Sequence, residues 1–232
     1  MTHPPLLIFD LDGTLVDSAA GICAACQAAC DMLGYARPTD DVIRPMIGLS
    51  LRFLFQTVLP ADVSVTTIDR AIDAYRIAFD RIALPVTKTF PAVDDELRRW
   101  KASGRQLAIA TSKRTDIAVK VLQKANIFEL FHIVVGADQV VRGKPYPDMA
   151  IHVLAQFGLD QSHAAMIGDT AHDIGMASAA GITAYAVSYG VHDRETLRLA
   201  NPQAIVDHFA DLASIPDLTR DYWRGGRSRS LK

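Results

Sequence analysis

Short runs of uninterrupted apolar residues recur along this chain, each too brief to be a buried helix. Leu6-Leu7-Ile8-Phe9 is the first, and residues 107–110, 133–136, 165–167 and 184–187 repeat the pattern. Such a run reads as a strand covered on both faces, because a strand with one wet face alternates apolar and polar residues. Residues 204–206 offer one more short strand. Helical spacing fills the gaps: 93–103, stopped by Gly104; 115–125, with Thr115 as a candidate N-cap; 147–157, opened by Pro147 and followed by Gly158; and 174–180. Strands alternating with helices imply right-handed crossovers and a parallel sheet with helices on both faces. The expected fold class is therefore a doubly wound α/β sheet.

One stretch breaks the rhythm. Residues 19–85 read as helices only: 19–33, rich in Ala and closed by Gly34, then 51–59 and 68–83. The chain is thus expected to form a core from residues 1–18 and 86–223, interrupted after its first strand by a helical insertion at 19–85. Hinges are expected near 17–20 and 84–88. The basic, Gly- and Ser-rich tail at 224–232 has no apolar period and is expected to be disordered.

Composition narrows the partners. Half of the 232 residues are hydrophobic, enough for a sizeable core. A formal charge of −2 gives no global attraction to nucleic acid or to anionic membrane. No run approaches the ~20 apolar residues that span a bilayer. The N-terminus has no basic start or apolar leader, so cytoplasmic residence is the expectation. Cys23, Cys26 and Cys30 fall at i, i+3, i+7. They read as an apolar helix stripe with reduced thiols, since no second Cys or His pair stands at zinc-like spacing.

The chemistry begins at Asp10-Leu11-Asp12-Gly13-Thr14, directly after the first strand. Carboxylates at i and i+2 on extended backbone share a side, and the apolar Leu11 takes the other. Two anions so placed call for a cation, and a hard divalent metal prefers oxygen ligands. Gly13 and Thr14 add a bend, backbone N–H groups and a hydroxyl, which suit a phosphate. In open α/β sheets ligands bind beyond the carboxyl ends of the strands. That rule gathers Asp10, Asp12, Thr111 and Asp169 in one crevice, with Lys144 reaching in from a loop.

These segments carry a family resemblance. DLDGTLVDS at 10–18 resembles the first motif of the haloacid dehalogenase-like phosphatase superfamily. Thr111-Ser112-Lys113 resembles the second motif, Lys144-Pro145 the third, and Gly168-Asp169-Thr170-Ala171-His172-Asp173 the fourth. The resemblance covers residues 6–210 and points to the phosphoglycolate phosphatase-like subgroup. It implies that the insertion is a cap closing over the site. It implies that Asp10 is a nucleophile forming an aspartyl-phosphate, and that Asp12 is the general acid and base. Mg²⁺ would be held by Asp10, Asp169 and the backbone carbonyl of Asp12. Thr111, Ser112 and Lys144 would hold the phosphoryl oxygens, and Asp173 would orient a metal-bound water from behind. The dehalogenase branch lacks an acid at the place of Asp12, so phosphoryl transfer is favoured. His172 reads as a positional feature of its loop, and Asp17 and Ser18 as the start of the cap linker or a helix cap.

The same resemblance makes Ile47-Gly48-Leu49-Ser50-Leu51 a cap loop over the site. Arg44 and Arg52 nearby could meet a substrate carboxylate or simply form a solvated helix face. The implied activity is a phosphomonoesterase acting on a small phosphate ester, phosphoglycolate first. Sugar phosphatase, nucleotide phosphatase, pyrophosphatase and β-phosphoglucomutase-like readings share the motifs. A non-catalytic phosphate-binding module is disfavoured by the intact acids. Monomer and homodimer are both open.

Overall fold

The computed structural model describes residues 5–218. The basic tail therefore lies outside the described residues. β1 (Leu6–Phe9) leads to β2 (Val16–Asp17), and a helical insertion follows: α1 (Ala19–Met32), α2 (Asp40–Ile43), α3 (Leu51–Val58), α4 (Val65–Ala78) and α5 (Leu84–Val86). The chain returns through β3 (Lys88–Thr89) and then alternates: α6 (Val93–Ala102), β4 (Gln106–Thr111), α7 (Thr115–Lys124), β5 (Ile133–Gly136), α8 (Asp148–Phe157), β6 (Ala164–Gly168), α9 (Ala171–Ala179), β7 (Thr183–Val187), α10 (Arg194–Leu199) and β8 (Ala204–Val206).

Six strands form one sheet in the order β5-β4-β1-β6-β7-β8, and all its pairings are parallel. Alternation along the strands divides the core. Leu7, Phe9, Leu107, Ile109, Ala165, Ile167 and Tyr185 face one side, which α6 and α7 cover with Leu97, Trp100, Val121 and Leu122. Leu6, Ile8, Ala108, Ala110, Met166 and Ala184 face the other, under Met149 and Val153 of α8 and Ile174 and Ala177 of α9. Both faces are dry, which is why the strands carry unbroken apolar runs. Trp100 anchors the first side. Its ring lies 5.8 Å from Phe9 and 5.7 Å from Phe209, and its Nε1–H donates to the Leu218 carbonyl at 3.2 Å.

The insertion has its own packing. α1 lies against α4 and against the turn that follows α4, with Gly21 in close contact: a Cβ there would stand 2.9 Å from the Ala83 Cα. Cys23, Cys26 and Cys30 are buried, unpaired thiols on the inner face of α1, as an apolar stripe requires. After α4 the helix widens into a π turn at Phe79–Ala83, where the Leu84 N–H reaches the Phe79 carbonyl. Pro85 follows at once, and it has no N–H to continue an α-helical ladder. The outgoing and returning tethers are bonded to each other: β2 and β3 pair antiparallel, Val16 opposite Thr89 and Asp17 opposite Lys88.

The elements expected from sequence lie where they were expected, to within a few residues. The sequence reading omits β2, β3, α2, α5 and α10, all of six residues or fewer. It also starts α9 three residues late, because the capping box between Thr170 and Asp173 opens that helix earlier. Thr115 is the first residue of α7 rather than its cap, and Asp138 from the β5 loop accepts its N–H at 2.6 Å instead.

Trp100→Ala should lower stability by about 3–5 kcal/mol, the usual cost of emptying an aromatic core position. The shift in urea midpoint, at unchanged slope, measures it.

Candidate active site

The sheet order reverses between β1 and β6, and a crevice opens at that switch point. Register places Phe9 level with Ile109 on one side and Ile167 on the other. The chain ends of β4, β1 and β6 therefore meet, bringing together Thr111, Asp10 and Asp169. The Asp10 N–H still donates to the Ile167 carbonyl at 3.0 Å, which fixes its backbone to β6.

Beyond Asp10 the chain turns sharply. Gly13 has φ +85°, and a Cβ there would meet the Asp169 Oδ2 at 2.2 Å. Only glycine satisfies both demands. Asp169 is then gripped from two sides: the Thr14 hydroxyl donates to Oδ1 at 2.7 Å, and the Val191 N–H donates to Oδ2 at 2.8 Å. The Tyr189 hydroxyl donates to the Thr14 carbonyl at 2.7 Å and steadies the turn.

Lys144 is the counter-ion. Its side chain is 1% exposed, and its ammonium donates to Asp10 Oδ1 at 2.6 Å and to Asp173 Oδ1. The other Asp173 oxygen accepts from the Thr170 N–H at 3.0 Å and hydroxyl at 2.7 Å. Asp173 thus caps α9 and orients Lys144 together. Asp12 stands apart from this group. Ser18 donates to its Oδ1 at 2.6 Å, and the Lys113 ammonium approaches its Oδ2 at 2.8 Å. Ser18 occupies the N-cap position of α1 but makes no side-chain cap bond; its hydroxyl is turned to Asp12.

The electrostatics follow from crowding. Oxygens of Asp10, Asp169 and Asp173 lie within 4.8 Å of one another, all buried. Burial pushes the Asp10 carboxyl from 3.8 up to about 7, although the Lys144 ammonium pulls it down. Asp169 is raised well above the ordinary range by burial and by the charges of Asp173 and Asp10. Burial alone would lower Lys144, but Asp10 and Asp173 outweigh it and raise its pKa. Three acids served by one ammonium form a hard oxygen donor set short of positive charge, which fits a divalent metal such as Mg²⁺. His172 and His192 lie beside the cluster with rings 5.5 Å apart, and burial lowers both.

A cavity of about 350 Å³ opens from these residues toward the helical insertion. Asp10, Asp12, Thr111, Ser112 and Lys113 line its floor, and the loop from Met46 to Arg52 lines its roof with Tyr75 and Phe79. Thr111 is buried, and its hydroxyl accepts from the Lys113 N–H at 3.3 Å. Arg52 borders the cavity but pairs with Asp69 at 2.5 Å. Arg44 is absent from its lining and sits near Asp40 at 3.8 Å.

Lys113 is the residue that the sequence reading passed over. It touches Asp12 in the core, and its ammonium lies 4.4 Å from the centre of the Phe79 ring in the insertion. Its place in the motif Thr111-Ser112-Lys113 was the one signal available, since Lys113 lies in the bend beyond β4, where strand alternation no longer applies.

The chain belongs to the haloacid dehalogenase-like hydrolase family, matching the family model over residues 7–187, and its parallel sheet and buried acidic cluster fit that family. It is 39% identical over 210 residues to the "Probable phosphatase IndB" of Dickeya dadantii (strain 3937), covering 90% of this chain and 91% of that one. A phosphoglycolate phosphatase of Psychrobacter arcticus is 33% identical, covering 89% and 93%. The crystal structure described as a predicted phosphoglycolate phosphatase from Haemophilus somnus 129pt superposes with a TM-score of 0.87 at 25% identity, over 93% of this chain and 99% of that one.

The raised carboxyls make a prediction about the metal-free protein. Between about pH 4 and pH 7 the folded chain holds protons that the unfolded chain has released, so stability falls as pH rises through that window. Calorimetry in chelator should show this fall in Tm. Asp169→Asn, which removes one crowded charge, should flatten it, and added Mg²⁺ should restore the wild-type Tm at pH 7.

Proposed function

We propose that this protein is a magnesium-dependent phosphomonoesterase working through an aspartyl-phosphate on Asp10. The observation that carries the reading is the Asp10 carboxylate at the floor of the cavity, beside Lys144 and within one acidic cluster. Asp10, Asp169 and the Asp12 backbone carbonyl would hold the metal, which would offset the repulsion between a carboxylate and an anionic phosphate.

The chain's own residues would do the rest. Lys144 eases the ionisation of the buried Asp10 and aims it, and with Thr111 and Ser112 supplies donors for the phosphoryl oxygens. Asp10 attacks phosphorus, and the ester oxygen leaves with a proton from Asp12. Asp12 then takes a proton from the water that attacks the aspartyl-phosphate, releasing phosphate and restoring Asp10. Ser18 and Lys113 hold the Asp12 carboxylate in place for both transfers. Asp173 supports Lys144 and, through it, Asp10.

The helical insertion at 19–85 serves as the cap in this reading, and the pairing of β2 with β3 marks its hinge. Phosphoglycolate is the substrate suggested by the names of several relatives. The buried, unpaired thiols of α1 suit a reducing compartment such as the cytoplasm.

Asp10→Asn should abolish phosphate release from p-nitrophenyl phosphate by at least about 10³-fold with the circular dichroism spectrum unchanged, since a neutral amide is a poor nucleophile. Asp12→Ala should slow alkyl esters by about 10²–10⁴-fold and aryl esters much less, because only the alkoxide needs a proton to leave. Equal slowing of both ester types would remove Asp12 from the proton-donor role.

A further inference from the structure

The cavity above Asp10 is larger and more apolar than a two-carbon acid requires. Its volume of about 350 Å³ is in the ordinary range for a site that encloses a small organic ligand. A phosphate with a two-carbon acid fills only part of that space. The remainder is bounded by Met46, Ile47 and Leu49 from the cap loop and by Ile117 of α7 from the core. Apolar walls thus stand on both the cap side and the core side.

The charges point the same way. Among the described residues, each cation lining the cavity already faces an acid: Lys113 meets Asp12 at 2.8 Å, Arg52 meets Asp69 at 2.5 Å, Arg76 meets Asp73 at 2.8 Å and Arg114 meets Asp116 at 3.1 Å. Exposed pairs are cheap to break, so an arginine could still turn to an anion. No buried cation is set aside for one beyond the phosphate end, as Lys144 is set aside for Asp10.

We infer that the alcohol released by this enzyme is a bulky, uncharged, ring-bearing group of the size carried by a nucleoside 5′-monophosphate, rather than a small carboxylic acid. The inference rests on the phosphomonoesterase reading and adds the substrate class to it. Apolar burial of the ring between Leu49 and Ile117 would supply binding energy that a short acid cannot collect.

Phosphate release separates the two levels. Acetyl phosphate, small and activated, reports phosphoryl transfer with little demand on the cavity walls; if wild type leaves it intact with Mg²⁺ present, the phosphomonoesterase reading fails and the substrate class falls with it. With acetyl phosphate turned over, adenosine and uridine 5′-monophosphates are compared with phosphoglycolate. At least one nucleotide should show a kcat/KM ten or more times that of phosphoglycolate. Leu49→Ser and Ile117→Ser, checked for folding by thermal melts, should each reduce that ratio at least tenfold, mainly through KM. A kcat/KM for phosphoglycolate equal to or above both nucleotides, or a ratio that neither variant moves, overturns the inference while leaving the reaction class standing.

Discussion

The ammonium of Lys144 between Asp10 and Asp173 is the contact on which the site depends. Three buried carboxyls cannot all ionise in a space a few ångströms wide without positive charge, and within the protein Lys144 provides it. Its placement fixes much else. Asp173 must open α9 as a capping residue to keep one oxygen free for the lysine. Asp169 must be held away by Thr14 and Val191, with glycine at position 13 to make room. Removing one partner of such a group costs far more than an exposed ion pair would, because the remaining charges stay buried.

The sheet supplies the geometry that the ammonium exploits. Parallel strands bring three chain ends to one edge, and the reversal of strand order between β1 and β6 leaves a gap there. Asp10 and Asp169 stand on opposite sides of that gap. The acids need little special backbone apart from three glycines packed against them: Gly13 and Gly190 against Asp169, and Gly168 against Asp173.

Much of this was readable in the residues. Unbroken apolar runs mark strands buried on both faces, and these runs located all six strands of the main sheet. The residues expected at the strand ends are indeed neighbours in space. What escaped was short or relational. Two-residue strands such as β2 and β3 have no period to detect, and their pairing spans some seventy residues of chain. The hydroxyl of Ser18 could cap a helix or turn back to Asp12, and sequence cannot choose between two local partners. Lys113 has meaning only once Phe79 is known to lie above it, a contact made by packing between separate elements. Of the cavity's roof, the loop at 47–51 was expected over the site from the family resemblance, whereas Met46, Tyr75 and Phe79 look like ordinary core residues until the crevice beneath them is seen.

The ladder between β2 and β3 has a mechanical consequence. Two crossings that ran separately would hold the helical lid like a beam fixed at both ends, free to sag but slow to swing. Laced together by Val16 and Thr89, they behave as one strap. In the proposed cap role the insertion would then have a single pivot, and rotation about it would carry Leu49 and its neighbours across the mouth of the crevice while the acids below stayed still.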